Sequence, residues 1–391
     1  MRYASACNRI GNTHSALDRA IEDVRSQLDG RTPDLAFLFV SSDHGEAEYL
    51  GLRLQHDLGV RHLIGCTAEA VVGTGVEVEA GAALSLWCAA WDGVPLRTFH
   101  VSCERTPDGI LASGFPAPED LDFVPSALFL LGDPFSCPPD SIIERVESDY
   151  PGLPLMGGMA SGGRGPGTNA LFCDNRRLDE GAVGVLIGPG VPVHSLVSQG
   201  CRPVGERFLV TRAERNVVFE LGGKPALDRL GEVFSGLSRE DRELLQRGPH
   251  LGIAMNEYQA EFRRGDFLIS NVLGGDKSNG AMAIGNLIRV GQTVQFHVRD
   301  AETADEDLRA MLSRTLTEIP KPAAGLLFSC NGRGTRMFPE PHHDAKVVAE
   351  LAGPIPLAGL FAQGELGPVA GRNHIHGFTA SLALFGDQPT A

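Results

Sequence analysis

The chain has 391 residues, of which 34 are basic and 49 acidic, so its formal net charge is -15. A hydrophobic content of 42% and a charged content of 21% fit a globular protein and exclude a disordered one. The acidic balance leaves no basic surface of the kind that binds nucleic acid. The sequence contains no run of about 18 apolar residues, so no membrane span is predicted. The eight cysteines have no CxxC spacing, and no secretory signal is evident, so we expect a cytoplasmic protein without a structural zinc site.

The hydrophobic pattern predicts helices alternating with short strands. In chain order we expect a helix at 13–28, a strand at 35–40, a helix at 46–58, strands at 62–66, 82–89 and 95–101, and a helix at 141–149. Strands follow at 193–198, 208–213 and 216–221, helices at 225–234 and 238–245, strands at 251–257, 267–272, 281–284 and 293–299, and a helix at 305–316. This alternation is typical of α/β proteins.

One pattern occurs three times, at 35–90, 127–188 and 325–386. Each copy has an apolar strand, a helix, a short apolar strand that ends in small residues, and a Gly- and Ala-rich strand. Self-similarity of this kind predicts one reused supersecondary unit. The expected fold is therefore α/β with mixed sheets, arranged as two pseudo-symmetric domains built from a strand-helix-strand-strand unit. A doubly wound nucleotide fold is not expected, because two strands follow each helix.

Several motifs resemble the FIST family in the family's order. They are DPFS at 133–136, GGMASG at 157–162, GAVGVLIG at 181–188, SQGCRPVGE at 198–206, RGDFLISNVLG at 264–274, SCNGRG at 329–334, GLFAQGELGP at 359–368 and HIHGFTASLALF at 374–385. The resemblance runs from about residue 35 to the end of the chain. It implies a lead-in helix at 1–30, a FIST-N domain at 31–195 and a FIST-C domain at 196–391.

The resemblance implies a sensory module that holds a small ligand between FIST-N and FIST-C. Amino acids or their derivatives are ligands proposed for the family, and some members look like haem-based gas sensors. No output domain accompanies the FIST pair in this sequence. We therefore expect the signal to pass to a separate signalling protein, with no nucleic acid and no membrane span involved.

The glycine cluster around Ser161 is the first candidate site. Gly157 and Gly158 allow backbone amides to approach an anion, and the alternative is a tight turn between a strand and a loop. By the repeat, Glu69 and Glu365 are expected in equivalent positions, where a carboxylate could meet a ligand amine or an arginine.

Two arginines next to glycines are candidate anchors for a carboxylate. Arg202 has a planar guanidinium suited to such a group, and its alternative is an interdomain salt bridge. Arg333 follows Cys330 by three residues, and a nearby cation favours the thiolate form of a cysteine. The alternative for Cys330 is a buried structural thiol followed by a turn.

Histidines give a further set of candidates. His374 and His376 alternate along a predicted strand, so they share a face, and one of them could ligate haem. Additional metal ligands would have to come from His342 or His343, and a structural role is the alternative for each histidine. No protein metal site is predicted.

Two hypotheses follow for function, and whether the protein is an enzyme stays open. In the first, the protein binds a carboxylate-bearing ligand through Gly157, Gly158, Ser161, Arg202, Cys330, Arg333, Glu365 and His376. In the second, a cysteine-dependent enzyme uses Cys330 as nucleophile, His376 as base and Glu365 to orient the base. A haem-based sensor is the third alternative. No GxxxxGKS, HExxH, GxSxG or dinucleotide motif is present.

Overall fold

A computed structural model describes residues 1–45, 48–107, 109–257, 262 and 265–387. Helices and strands are mixed, as expected for an α/β protein. The helices are α1 (Thr13–Gln27), α2 (Leu50–Leu58), α3 (Pro139–Asp149), α4 (Ala226–Gly236), α5 (Arg239–Arg247), α6 (Ala301–Glu318) and α7 (His343–Ala352). No helix in these described ranges is both long and apolar enough to cross a membrane.

The strands are numbered in chain order. The first thirteen are β1 (Arg2–Asn8), β2 (Leu35–Ser41), β3 (His62–Ala68), β4 (Val71–Gly73), β5 (Val76–Val78), β6 (Leu84–Ala90), β7 (Leu96–Thr106), β8 (Gly109–Ser113), β9 (Ala127–Gly132), β10 (Leu155–Met159), β11 (Leu171–Cys173), β12 (Arg176–Leu178) and β13 (Ala182–Ile187). The others are β14 (Val193–Gln199), β15 (Cys201–Glu214), β16 (Val217–Leu221), β17 (Lys224–Pro225), β18 (His250–Ala254), β19 (Phe267–Asp276), β20 (Ala281–Ile284), β21 (Thr293–Arg299), β22 (Ala324–Cys330), β23 (Leu357–Ala362), β24 (Glu365–Val369), β25 (Arg372–His376) and β26 (Thr379–Phe385).

The chain divides into two compact units. The first contains Met1–Val197, Leu308–Ile375 and the residues from Thr379 onwards, and the second contains Ser198–Asp307 with His376–Phe378. All three copies of the repeated pattern lie in the first unit, apart from His376–Phe378 of the third copy. This differs from the expected pair of pseudo-symmetric domains, because the third copy joins the first two instead of forming a domain of its own.

The three copies have the same local topology. In each, the first strand runs parallel to the strand after the helix and antiparallel to the last strand of the copy, which gives the orders β6-β2-β3, β13-β9-β10 and β26-β22-β23. The central strands β2, β9 and β22 are buried along their whole length. Strands covered on both faces have near-continuous apolar sequences, which is why the pattern was visible in the sequence.

The copies exchange strands around the first unit. The hairpin β11-β12 of the second copy extends the sheet of the first copy through β3. Strands β24 and β25 of the third copy extend the sheet of the second through β10, and the hairpin β4-β5 of the first copy extends the sheet of the third through β23. Each sheet is therefore completed by a neighbouring copy.

Aromatic side chains from the central strands meet in one core. The ring centroids of Phe37 and Phe129 are 5.3 Å apart, and those of Phe129 and Phe328 are 6.4 Å apart. Trp87 and Trp91 pack in the same cluster and are buried. These contacts between the three copies bury large apolar surfaces and hold the sheets together.

The second unit has a different architecture. Its sheet has the order β15-β21-β18-β19-β20-β16-β17, and the pairs in it are antiparallel. The repeated strand-helix-strand-strand unit therefore builds the first unit and not the second. Strand β15 also begins at Cys201, whereas the predicted strand begins at residue 208.

Some element bounds differ from the predicted ones. Helix α2 begins at Leu50, and residues 46–47 of the predicted helix lie outside the described part of the chain. Helix α1 is capped by Asn12, whose side chain accepts a hydrogen bond from the Ser15 amide at 3.0 Å. Ser238 caps α5 by accepting a hydrogen bond from the Asp241 amide.

Candidate functional site

The strand register makes Ser41, Asp133 and Cys330 equivalent residues. Each lies at or just beyond the end of the central strand of its copy, next to small residues of the neighbouring parallel strand. Parallel strands place such residues at one edge of a sheet, where ligand sites are commonly built. The three positions therefore mark corresponding points of the first unit.

At two of these positions the side chain is used in local structure. The Ser41 hydroxyl accepts a hydrogen bond from the Ala83 amide at 2.8 Å. Asp133 accepts from the Ser136 amide at 2.9 Å and from the Asn169 side chain at 2.8 Å. DPFS therefore forms a turn, whereas α3 begins later, with Pro138 at its N-cap position and no side-chain cap bond. Cys330 has a thiol where the other copies have strongly hydrogen-bonding oxygens.

Glu365 occupies a position that is apolar in the other two copies. It pairs with Gly158, in the register where Val71 pairs with Leu360 and Leu171 with Cys66. Val71 and Leu171 belong to the shared core. A carboxyl group at this position has no packing explanation, which makes it a candidate functional residue.

The predicted equivalence of Glu69 and Glu365 needs correction. The register instead aligns Glu69 with Ser161, because Ala68 and Ala160 are the equivalent residues before them. One intervening residue, Ala70, separates Glu69 from Val71, the position that corresponds to Glu365. The sequence similarity between the two motifs hid this offset, because both contain small residues before the glutamate.

Burial controls the protonation of Glu365. The side chain is fully buried, and burial raises its pKa to about 8, although Thr379, the Cys330 thiol and Arg333 act in the opposite direction. The Thr379 amide and hydroxyl donate to Oε2 at 3.1 and 2.8 Å. Within the described part of the chain, Oε1 has no hydrogen-bond partner.

Arg333 and Asp344 form a buried bidentate ion pair. Nε and Nη2 of Arg333 each donate to the Asp344 carboxylate at 2.8 Å, and both side chains are at most 1% exposed. Ser329 and His343 add bonds of 2.7 and 2.9 Å to the same carboxylate. Burial opposes ionisation of Asp344, but the charge and hydrogen bonds of Arg333 hold its pKa below the usual value. Nη1 of Arg333 is buried without a hydrogen-bond partner among the described residues.

Glu77 is a second buried glutamate, which the sequence analysis missed. Its Oε1 accepts the Ala345 amide at 3.0 Å, and its own amide donates to Nδ1 of His342 at 3.0 Å. Burial and the charge of Asp344 raise the pKa of Glu77 to about 8. Its alternating sequence, VEVEA, is typical of an exposed hairpin and gave no signal, and Asp344 resembled an ordinary helix-start residue.

We call Glu77, Cys330, Arg333, Asp344 and Glu365 the strand-end cluster. Arg333 contributes to the pKa of Glu77, Asp344 and Glu365, and its own pKa responds to the charge on Cys330. The five groups therefore act on one another electrostatically. Two carboxyl groups with raised pKa values can hold protons near neutral pH, and the thiol and guanidinium lie within their influence.

The segment Asn331–Phe338 connects the cluster to the protein surface. Arg336 forms a bidentate pair with Glu69, and its Nη1 reaches Oε2 at 3.2 Å. Glu79 accepts the Thr335 hydroxyl at 2.7 Å and the Thr335 amide at 2.9 Å. The segment that carries Arg333 into the interior is thus fastened to two glutamates of the first copy.

Gly157, Gly158 and Ser161 all have structural partners. A Cβ atom on Gly157 would overlap the Leu130 carbonyl oxygen, and one on Gly158 would lie 2.8 Å from that of Ala362. The Ser161 hydroxyl accepts the Glu69 amide at 2.8 Å and donates to the Phe361 carbonyl. Close strand packing is enough to require both glycines, and their role as ligand contacts stays a prediction.

Replacing Gly157 with Ala should lower the free energy of unfolding by roughly 3 kcal/mol, because the φ of 136° and the overlap with Leu130 both oppose a side chain. Gly165→Ala is the matched control, since a Cβ there meets nothing within 4 Å. Urea unfolding followed by tryptophan fluorescence measures both variants. Equal stability of the two variants would contradict the packing argument.

The second unit holds two of the predicted site residues. Arg202 pairs with Asp241 and, at 2.8 Å from Nε, with Asp300, and all three belong to this unit. The alternative of an interdomain salt bridge is corrected accordingly. His376 also belongs to the second unit and is buried, at the end of β25.

The remaining histidine candidates lie outside any recognisable metal site. Burial lowers the pKa of His374, and the ring of His343 stacks on Phe338 with centroids 3.5 Å apart. Nδ1 of His342 is used by the Glu77 amide. Over the residues the structure describes, no group of three or more His, Cys, Asp or Glu side chains could hold a metal ion. Haem ligation by His374 or His376 stays a prediction.

Comparison with family profiles finds the two domains that the sequence motifs resemble. The profile of the FIST N domain matches residues 34–224, and that of the FIST C domain matches residues 226–368. The chain belongs to the FIST family. The strand-end cluster thus combines Glu77 of FIST N with Cys330, Arg333, Asp344 and Glu365 of FIST C. The match places its boundary near residue 225, and the expected boundary at 195 stays a prediction.

Relatives span the whole length of this FIST protein. The uncharacterized protein Rv0628c of Mycobacterium tuberculosis is 44% identical over 392 residues, covering 99% of this chain and all of that protein. The uncharacterized protein Mb0898c of Mycobacterium bovis is 43% identical over 392 residues, covering 97% of this chain and 99% of the relative. FIST domains are associated with sensory and signal-transduction roles.

Proposed function

We propose that this FIST protein is a sensor that binds a small amino acid, or a related carboxylate, at the strand-end cluster. The observation that carries the proposal is a complementary pair of buried atoms. Nη1 of Arg333 can donate to a ligand carboxylate, and Oε1 of Glu365 can accept from a ligand ammonium group. Buried polar atoms without a hydrogen-bond partner are costly, so a ligand that satisfies both would gain binding free energy.

The protonation state of Glu365 makes binding depend on pH. With a pKa of about 8, this carboxyl group is mostly neutral at pH 7. An ammonium group beside it favours the ionised form, so binding of a zwitterion releases a proton. The affinity for an amino acid should therefore rise as the pH increases from 6.5 to 8.

Ligand access involves the segment Asn331–Phe338. Arg333 belongs to this segment, so a ligand that binds Nη1 can move the segment. Such a movement weakens or strengthens the contacts of Thr335 with Glu79 and of Arg336 with Glu69. We infer that a displacement of this segment is the signal, and that a separate signalling protein reads it. A binding event can shift such an equilibrium only through different affinities for the two states.

The test is a thermal-shift screen with the twenty amino acids and short organic acids at millimolar concentration. A ligand at 100 times its dissociation constant adds about 2.7 kcal/mol of stability, which gives a clear rise in Tm. Glu365→Val should abolish the rise while the protein stays folded, because Val71 occupies the equivalent position of another copy. The matched control is Glu22→Gln, at an exposed glutamate of α1. An equal shift in wild type and Glu365→Val, or no shift with any compound, would refute the site.

Cysteine-dependent catalysis is the second candidate, and the contact between Cys330 and Glu365 favours it. The Cys330 Sγ accepts the Gly332 amide at 3.4 Å, and the thiol lowers the pKa of Glu365 by hydrogen bonding. A nucleophilic thiol should react selectively with iodoacetamide at neutral pH. If the site only binds a ligand, Cys330→Ser should keep the thermal shift. Selective alkylation of Cys330 in the wild type therefore supports catalysis, and an intact thermal shift in Cys330→Ser supports binding.

A further inference from the structure

Two cysteines of the first unit lie in contact with each other, away from the strand-end cluster. Cys103 is on β7, and Cys137 lies in the turn that precedes α3. Their sulfur atoms are 3.5 Å apart. A disulfide bond needs about 2.05 Å between the sulfurs, so the two sulfur atoms must approach each other by about 1.5 Å to bond.

The pair lies beside a cleft that gives it access to solvent. The cleft has a volume of about 360 Å³ and is lined by Cys103, Ile110, Pro134, Phe135, Ser136, Cys137 and Pro138. Cys103 is partly exposed, whereas Cys137 is 1% exposed. A small reagent can therefore reach Cys103 first, and Cys137 is held behind it.

We propose that Cys103 and Cys137 form a modification site, in which a low-molecular-weight disulfide oxidises the two thiols to an intramolecular disulfide. The Cys103 thiolate attacks one sulfur of the small disulfide and expels the first small thiol, after protonation. The Cys137 thiolate then attacks Sγ of Cys103 and expels the second. Two protein thiols and one small disulfide thus become one protein disulfide and two small thiols, so atoms and electrons balance.

The local environment supports this order of events. The hydrogen bond between the two thiols lowers the pKa of Cys103, whereas the same bond and burial raise the pKa of Cys137. Cys103 therefore forms a thiolate first, and Cys137 can follow only after the mixed disulfide has removed that bond. Asp133 fixes the turn before Cys137 by accepting the Ser136 hydroxyl at 2.6 Å. The attacking thiol is thus the accessible one, and the resolving thiol is held next to it by a defined turn.

The experiment treats the full-length protein with oxidised glutathione, alkylates it under denaturing conditions and digests it with trypsin. Cys103 falls in peptide 98–105 and Cys137 in peptide 106–145, and each peptide contains a single cysteine. We expect the two peptides to be recovered as one cross-linked species, about 2 Da lighter than their summed reduced masses, which dithiothreitol separates. The count of free thiols should fall by two from the eight cysteines of the chain.

Two single variants test whether Cys137 is the resolving thiol. In Cys137→Ala, Cys103 should retain a glutathione adduct, since the resolving thiol is gone, whereas Cys88→Ala should cross-link like wild type because Cys88 is fully buried elsewhere in the core. If Cys137→Ala fails to fold, the wild-type peptide map still decides. Recovery of both wild-type peptides singly alkylated, or of Cys103 as a stable glutathione adduct beside alkylated Cys137, would overturn the proposal.

Discussion

Replacing Asp344 with Asn should lower the free energy of unfolding of the first unit by about 3–5 kcal/mol. The substitution leaves the guanidinium of Arg333, which is 0% exposed, without a charge to compensate it. Burial makes the loss far larger than at the surface, because water cannot replace the missing carboxylate.

Urea unfolding followed by tryptophan fluorescence measures this loss in the free energy of unfolding. Both tryptophans of the chain, Trp87 and Trp91, are buried in the core of the first unit, so their emission reports on this unit. The matched control is Asp18→Asn, which breaks the pair of Asp18 with Arg53, where the aspartate side chain is 61% exposed. That variant should change stability by less than about 1 kcal/mol. Similar losses in the two variants would contradict the importance of the buried pair.

Replacing Glu365 with Gln should flatten a decline in stability between pH 6.5 and pH 8. The folded-state pKa of about 8 lies above the ordinary glutamate pKa of 4.5, so the unfolded chain is ionised in this window while the folded protein keeps its proton. The folded state then binds more protons, and stability falls as the pH rises. One such group contributes about 1.5–2 kcal/mol of decline across the window.

Between pH 6.5 and pH 8, the decline in stability comes from the buried glutamates and not from the buried histidines. Glu77 acts in the same direction, so Glu365→Gln should remove about half of the decline and the double variant with Glu77→Gln most of it. His250 and His297 have pKa values lowered to about 4 by burial, so they change stability below pH 6.5 and with the opposite sign. Glu22→Gln is the control. An unchanged slope in Glu365→Gln would show that this carboxyl group ionises normally in the folded protein.

The three-copy pattern could be predicted from sequence because its central strands are buried on both faces. Such strands are continuous apolar runs, and the runs at Leu35–Ser41 and Ala127–Gly132 can be recognised from the sequence alone. The strand β15 was missed at its start, because Gly and Pro residues usually mark turns. Its register shift between Val204 and Arg207 accommodates residues that a regular strand would not.

The site residues were predictable only one at a time. Cys330 and Arg333 stood out as a thiol and a cation among glycines, but sequence could not show that Asp344 engages Arg333. Glu77 lies 268 residues from Ala345, whose amide it binds, so no local pattern joins them. Glu365 was identified from its motif, whereas its placement at an apolar position of the repeat required the strand register.

The exchange of strands between copies has a consequence for biosynthesis. The hairpin β4-β5 emerges from the ribosome early, yet its partner β23 begins only at Leu357. Likewise, β10 obtains its neighbour β24 only after residue 365 has been made. The nascent chain must therefore keep two sheets unfinished until the segment from Leu357 to Val369 has been translated, so the three copies can close on one another only after that segment is available.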